Sequence, residues 1–171
     1  MSTATLKNEA AKDEVDIRAL IETVRRAHHN KDAAAIAAPY TRDAVIFDLA
    51  PPLSHSGIDL QEMKAWLDTW EGPVDQESRD LTITVSGDLA FCHGFRCLGG
   101  TKKGVSQPIS FWMRATVCLN RDGGAWRIVH EHTSVPFYMD GTLRPAFDLK
   151  PQADAFRHTN RWAFIRSGKK R

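Results

Sequence analysis

The segment WRIVHEHTSVPF, residues 126–137, brings two histidines and a glutamate together in three consecutive positions. Its mixture of apolar and polar residues predicts a β-strand, in which successive side chains point to opposite faces of the sheet. His130 and His132 therefore share one face with Ile128, while Glu131 lies on the other. Because histidine changes charge near neutral pH and can act as a general acid or base, this pair indicates proton-transfer chemistry.

A second strand precedes the turn-forming sequence NRDGGA and predicts a hairpin partner for the histidine strand. Pairing the two strands across this turn brings four side chains onto one face, namely Trp112, Arg114, His130 and His132. Arg114 then lies opposite His130 and could hold a carboxylate or an enolate oxygen through its planar guanidinium. A slip of the register by one residue would instead place Arg114 opposite Glu131.

Asp48 ends the first strand candidate, AVIFDL, and His55 lies in the turn-rich loop APPLSHSG that follows it. A carboxylate at the rim of a pocket could be the base that removes a proton beside a carbonyl. Asp48 is equally suited to accept hydrogen bonds from the backbone of the following turn. His55 is a candidate lid residue over the pocket mouth, and the alternative is an exposed histidine in a loop. Both interpretations of each residue stay open.

The histidine pair could also bind a single metal ion, with Asp48, His55 or His93 completing the ligand set. However, no metal-binding spacing in the sequence places Asp48, His55 or His93 beside the histidine pair. Arg114, on the same face as the pair, would repel a cation. We therefore expect neither a metal nor another cofactor.

Four aromatic residues are candidates to line the pocket, namely Trp112, Trp66, Trp70 and Tyr40. Trp66 and Trp70 recur at helical spacing, which is more typical of a helix packed in a core than of a ligand platform. Tyr40 either points its hydroxyl into the pocket or packs at the junction of two helices. Glu131 is predicted on the outer face of the sheet, paired with Arg127 or with a partner subunit.

The order of elements predicts an α+β fold with helices on one face of a mainly antiparallel sheet. Helical spacing of apolar residues predicts three helices, over residues 13–26, 33–38 and 58–72. Alternating strands follow, with hairpin turns at residues 86–88 and 120–125.

The chain has 171 residues, of which 42% are hydrophobic and 26% are charged, so one soluble globular domain is expected. The net charge of +2 does not indicate nucleic-acid binding, although the end from Arg157 is basic. We interpret that end as a solvated tail, and the alternative is contact with an anionic surface. No apolar run approaches the length of a membrane span. The three cysteines have neither disulfide nor zinc spacing, which favours free thiols in the cytoplasm.

Three segments carry a resemblance to a known family: AVIFDLAPPL, VSGDLAFCHG and RATVCLNRDGGAWRIVHEHTSVPF. Over residues 13–138 the chain resembles the SnoaL-like branch of the ketosteroid isomerase and nuclear-transport-factor-2-like superfamily. The resemblance implies a cone-shaped α+β fold, in which a curved sheet wraps around three N-terminal helices and encloses a pocket. It also implies a homodimer formed through the convex face. Residues 1–12 are then predicted as a flexible N-terminus and residues 139–171 as a C-terminal extension with a basic end.

The leading hypothesis is an enzyme that acts on a small carbonyl or carboxylate compound by proton transfer, as isomerases, lyases and cyclases do. His130 or His132 would be the acid or base, Arg114 would neutralise oxyanion charge, and Asp48 would assist. A steroid isomerase is not expected, because the first helix lacks a tyrosine and its inward stripe is aliphatic apart from His28.

The alternative hypothesis is a non-catalytic module of the same fold that binds a ligand or assembles with other subunits. In that case the basic tail would dock on a neighbouring subunit through Trp162 and Phe164. A small-molecule ligand and a homodimer are the expected partners, whereas a membrane and a nucleic acid are not.

Overall fold

The computed structural model describes residues 3–152 of the chain, and the basic tail with Trp162 and Phe164 lies outside them. The helices are α1 (Thr3–His29), α2 (Ala33–Ala37) and α3 (Leu60–Asp68). The strands are β1 (Tyr40–Phe47), β2 (His55–Ser56), β3 (Trp70–Ser86), β4 (Leu89–Lys102), β5 (Ile109–Asp122) and β6 (Ala125–Ser134). No helix among residues 3–152 is long and apolar enough to cross a membrane.

The six strands form one sheet in the order β2-β1-β6-β5-β4-β3. β1 runs parallel to β6, and all other neighbouring strands are antiparallel. The predicted α+β class with three helices and a mainly antiparallel sheet is confirmed. Both predicted hairpin turns are present, since Gly87, Gly123 and Gly124 adopt the left-handed backbone that tight turns need.

Two helix boundaries differ from the prediction. α1 begins at Thr3 rather than near Asp13. α3 ends at Asp68, and Trp70 therefore belongs to β3 instead of the helix. Pro73 therefore does not mark the end of α3 but lies within β3. Proline is tolerated there because β3 is an edge strand, where a residue without an N–H need not break the hydrogen-bonded ladder.

A tight turn joins α1 to α2. Lys31 adopts a left-handed backbone with a φ of 56°, which reverses the chain directly after α1. Asp32 then caps α2 by accepting a hydrogen bond from the Ala35 N–H at 3.0 Å. This arrangement leaves His28, in the last turn of α1, buried.

One face of the sheet, called here the inner face, packs against α1. Ile46, Val117 and Cys92 lie on it in a single row across β1, β5 and β4, with β6 between the first two. Ile17 of α1 packs in the same core and is fully buried. The opposite, outer face carries the intervening side chains of each strand, such as Phe91.

A β-bulge in β6 decides which of its residues reach the inner face. The register between β5 and β6 shifts between two successive pairs, Cys118 with His130 and Leu119 with Ile128. Val129 is thus an extra residue, and it reverses the alternation so that Ile128 and Glu131 both point inward. The prediction that His130 and His132 share a face with Ile128 is therefore wrong, as is the placement of Glu131 on the outer face.

A second irregularity affects the pairing of β3 with β4. The register shifts between Arg79 and Thr82, and Asp80 adopts a left-handed backbone with a φ of 55°. Gly94 on β4 lies against this irregularity, where an added Cβ would come within 3.0 Å of the Arg79 carbonyl oxygen. A side chain at this position would crowd the β3 backbone, and with glycine the inner face carries no side chain there.

Candidate functional site

Polar side chains from distant parts of the chain meet on the inner face of the sheet. We call this set the interior polar cluster, and it consists of His28, Tyr40, Asp48, Arg96 and Glu131. His28 belongs to α1, Tyr40 begins β1, and Asp48 directly follows β1. Arg96 belongs to β4 and Glu131 to β6. The charges of Arg96, Glu131 and Asp48 all act on the pKa of His28, as groups of one site do.

Glu131 lies at the centre of the cluster, with 8% of the residue exposed. The Tyr40 hydroxyl donates a hydrogen bond to Glu131 Oε2 at 2.6 Å, and Arg96 Nη1 donates one to Oε1 at 2.5 Å. Burial by itself would raise the pKa of Glu131, but the charge of Arg96 and these hydrogen bonds hold it below its ordinary value. The carboxylate is therefore ionised at neutral pH and has a hydrogen-bond donor on each oxygen.

Arg96 reaches Glu131 by crossing the inner face from β4 to β6. The row of residues between them contains Gly94 and Ala115, whose small size leaves room for the long side chain. Burial opposes the charge of Arg96, yet the adjacent Glu131 carboxylate keeps the pKa of the guanidinium above its ordinary value. The two residues form an ion pair, and their side chains are only 14% and 10% exposed.

His28 is the neutral member of the cluster that can take up a proton. Its Nδ1 lies 2.9 Å from the Val24 carbonyl oxygen, and since a carbonyl only accepts, Nδ1 carries the proton. Nε2 is left with a lone pair. Burial lowers the pKa of His28, and the positive charge of Arg96 lowers it further. His28 therefore has the tautomer and charge of a general base.

The lowered pKa of His28 predicts that stability depends on pH in a defined direction. A histidine in the unfolded chain binds a proton near pH 6.5, whereas folded His28 does so only at lower pH. Below pH 6.5 the unfolded state thus binds more protons, and the free energy of unfolding decreases until the pH reaches the folded pKa.

Urea denaturation of the wild type and of His28→Gln, at neutral and mildly acidic pH, checks this expectation. The variant should lose less stability on acidification than the wild type, because the other histidines are common to both proteins. An equal loss in the two proteins would contradict the assignment of His28 as the buried neutral group.

Asp48 lies at the exposed rim of the cluster, directly after the end of β1. Its Oδ1 accepts a hydrogen bond from the Leu49 N–H at 2.6 Å and a longer one from Thr133 Oγ1 at 3.4 Å. The first contact is that of a strand-ending aspartate, and the second joins it to the inner side of β6. The backbone hydrogen bond agrees with the interpretation of Asp48 as a strand-ending residue, and its role as a base stays a prediction.

His55 lies at the edge of the same face. It pairs across β2 and β1 with Ile46, which in turn pairs with Glu131, so the three side chains point to one side of the sheet. Its Nδ1 donates a hydrogen bond to the Gly57 carbonyl oxygen at 3.1 Å. This partly buried position is compatible with a rim residue beside the cluster.

The four residues predicted as one cluster on β5 and β6 lie on the outer face. Arg114 pairs with Ser134, so neither register considered from the sequence is correct. His130 Nδ1 donates to the Val45 carbonyl oxygen at 2.7 Å, and both His130 and His132 contact the Phe47 ring edge-on.

The tryptophans take three different positions. Trp112, on the outer face, lies beneath the guanidinium of Arg79 at 5.2 Å. Trp70 is 1% exposed and belongs to the core. Trp66 contacts the His28 ring edge-on, with ring centroids 6.2 Å apart, and so forms an apolar wall of the interior polar cluster.

Sequence reasoning missed that His28, Arg96 and Glu131 meet in one cluster. His28 gave a signal, because it is the polar residue on an otherwise aliphatic stripe of α1. Arg96 gave a weaker one, since alternation from the β3–β4 turn places it on the same face as Cys92. Arg127, the expected partner of Glu131, instead donates to the Ala38 carbonyl oxygen.

Other candidate sites are less suited to chemistry. Two surface grooves, of about 430 and 470 Å³, contain no residue of the interior polar cluster. Within the described part of the chain, no three His, Cys, Asp or Glu side chains converge as metal ligands would. Burial raises the pKa of the Cys92 thiol to about 12, which opposes formation of a nucleophilic thiolate. We therefore place the candidate site at the cluster, which combines a neutral base with an ion pair.

Comparisons with known proteins agree with the fold. The SnoaL-like domain family matches residues 17–138. An NTF2-like protein of unknown function from Pseudomonas putida is 37% identical, and the match covers 83% of this chain and 99% of that chain with a TM-score of 0.73. No curated protein sequence matches the chain.

Two more distant solved structures share the fold. A proposed scytalone dehydratase from Novosphingobium aromaticivorans is 12% identical, covering 79% of this chain and 91% of that chain with a TM-score of 0.67. A proposed dehydratase of the NTF2-like family from Streptomyces avermitilis is 15% identical, covering 72% and 96% with a TM-score of 0.62. At these identities the similarity establishes the fold alone.

The domain match and the similarity along nearly the whole Pseudomonas protein lead to one conclusion. This chain belongs to the SnoaL-like family of the nuclear-transport-factor-2-like superfamily.

Proposed function

We propose that the protein is a cofactor-independent lyase of the dehydratase type, which removes water from a small β-hydroxy carbonyl compound at the interior polar cluster. The observation that carries the proposal is His28, a buried neutral imidazole whose Nδ1 is held by the Val24 carbonyl and whose Nε2 retains a lone pair. Two structural neighbours that are named as proposed dehydratases support the choice of reaction.

The reaction can be written with His28 as both base and acid. Nε2 of His28 removes the proton from the carbon beside the carbonyl, and the electron pair moves onto the carbonyl oxygen as an enolate. The enolate then re-forms the carbonyl, the new carbon–carbon double bond develops, and the bond to the β-hydroxyl breaks. The hydroxyl leaves as water after taking the proton from protonated His28, which returns to its neutral form.

Arg96 supplies the hydrogen bond that stabilises the enolate oxygen. One N–H group of Arg96 donates a hydrogen bond to Glu131. The guanidinium has further N–H donors in the same plane that could reach the enolate oxygen. Glu131 and Tyr40 act as positioning residues, because they hold that plane in place before the substrate binds. Asp48 and His55 lie at the rim, where they would orient the substrate.

A chromogenic substrate tests the proposal. A phenyl-substituted β-hydroxy ketone gives a conjugated enone on dehydration, and the enone absorbs in the near ultraviolet. The purified protein should produce this absorbance faster than buffer alone, and in deuterated water it should exchange the proton beside the carbonyl. Binding of the ketone without exchange or turnover would overturn the proposal and favour the non-catalytic ligand-binding module.

We also propose that the protein forms a homodimer through the outer face. That face exposes apolar side chains, with Val45 and Phe91 each 45% and Phe47 39% accessible. Sedimentation of Phe91→Glu should show a monomer, since the charge would be buried between two copies. Leu53→Glu, at a loop residue that is 96% exposed, should leave the dimer unchanged. A wild-type monomer, or a dimer that survives Phe91→Glu, would contradict this.

A further inference from the structure

The interior polar cluster carries more negative than positive charge. Arg96 contributes one positive charge, while Glu131 and Asp48 contribute two negative charges. His28 is neutral because burial lowers its pKa, and Tyr40 stays protonated because burial and the charge of Glu131 raise its pKa well above the ordinary value. The site therefore has an excess of one carboxylate.

The positive charge of Arg96 is already paired within the protein. Its guanidinium contacts Glu131 directly, in a partly enclosed setting where charges interact more strongly than in water. A ligand carboxylate that approached Arg96 would bring a third anion beside Glu131 and Asp48. Like charges in one site repel, and this repulsion works against the binding of anions.

An uncharged carbonyl group meets no such repulsion. It can accept a hydrogen bond from an N–H of Arg96 that Glu131 does not use, and its apolar part can lie against the Trp66 wall. The groups of the cluster thus favour a neutral acceptor over a charged one.

We infer that the interior polar cluster selects uncharged carbonyl ligands and rejects carboxylates, with the Glu131–Arg96 pair as the selecting element. The inference rests on the proposed function and narrows its substrate class to neutral β-hydroxy ketones or aldehydes, leaving out hydroxy acids. It narrows the hypothesis from the sequence, which left carbonyl and carboxylate compounds open.

Two substitutions alter the charge of the site without changing its size. Glu131→Gln keeps an amide oxygen near Tyr40 and Arg96 but leaves the guanidinium charge unpaired, so the preference should change in favour of anions. Asp48→Asn removes one negative charge at the exposed rim and leaves the buried pair intact. Asp122→Asn, at the distant β5–β6 turn, makes the same change in net charge and is the control.

Benzamide and benzoate are matched probes, since they differ mainly in charge. Their dissociation constants can be measured by calorimetry at neutral pH, with the indole N–H signal of Trp66 in NMR spectra reporting binding at the cluster. The wild type and Asp122→Asn should bind benzamide at least about tenfold more tightly than benzoate. Glu131→Gln should bind benzoate more tightly than benzamide, and Asp48→Asn should have an intermediate ratio.

The possible failures are distinguishable. Benzoate binding as tightly as benzamide in the wild type, with the Trp66 signal shifted, would overturn the inference while the site and its proposed reaction stand. Ratios unchanged in both Glu131→Gln and Asp48→Asn would also overturn it. If Glu131→Gln does not fold, Asp48→Asn against Asp122→Asn decides the question. An unshifted Trp66 signal with both probes would overturn the inference together with the proposed function.

Discussion

Replacing His28 with glutamine is expected to lower kcat/KM for the β-hydroxy ketone by about a hundredfold to ten-thousandfold, the range lost with a general acid or base. Glutamine has a similar size and remains polar, but its amide cannot accept a proton at neutral pH. Nδ1 of His28 is hydrogen-bonded to the Val24 carbonyl oxygen. The loss of activity in the variant therefore measures the contribution of Nε2.

The matched control for this variant is His130→Gln on the outer face. His130 donates its Nδ1 proton to the Val45 carbonyl and lies on the opposite side of the sheet from the cluster. Its replacement should change kcat/KM by less than about twofold, as expected for a residue remote from the reacting atoms. If activity were instead lost in His130→Gln and retained in His28→Gln, the active site would lie at the histidines of β6 and not at the interior polar cluster.

Replacing Arg96 with methionine is expected to cost about 3–5 kcal/mol of stability, the usual loss when one partner of a buried ion pair is removed. Methionine fills much of the space but leaves the Glu131 carboxylate buried with Tyr40 as its remaining donor. Urea denaturation at neutral pH measures the change. Adding Glu131→Leu to Arg96→Met should recover part of the loss, because the unpaired charge is then gone.

Arg25→Met is the control for the loss of an arginine ion pair. Arg25 contacts Glu22 at 2.7 Å on the surface of α1, with both side chains substantially exposed. Such surface pairs contribute about 0–1 kcal/mol, so this variant should be nearly as stable as the wild type. If Arg96→Met were as mild as Arg25→Met, the view of the pair as a buried, fully charged unit would be wrong.

Much of the fold could be predicted from local patterns because the helices and the long strands carry their own signals, whereas the short strand β2 lies in a segment predicted as a loop. Apolar residues at helical spacing marked the helices, and glycine-containing turns marked both hairpins. The edge strand was harder, because Trp70 continues the apolar spacing of α3 and only the paired structure shows that it begins β3.

The site could not be predicted because it depends on a bulge without a sequence signature. Val129 is a β-branched residue of the kind found throughout strands, and nothing in its type marks it as the extra residue. One unpaired residue exchanged the faces of Glu131 and the two histidines. The position of Asp48 relative to Ile46 follows from simple alternation, since β1 has no irregularity between Val45 and Phe47 and Asp48 comes directly after it.

The central claim is that ligands bind at the interior polar cluster, between α1 and the inner face of the sheet. A crystal structure of the protein grown with benzamide tests it most directly. We predict that the amide oxygen accepts a hydrogen bond from Arg96 and that the ring lies against Trp66, close to His28. Benzamide bound on the outer face beside His130 and His132, or in a surface groove with the cluster closed to it, would contradict this account.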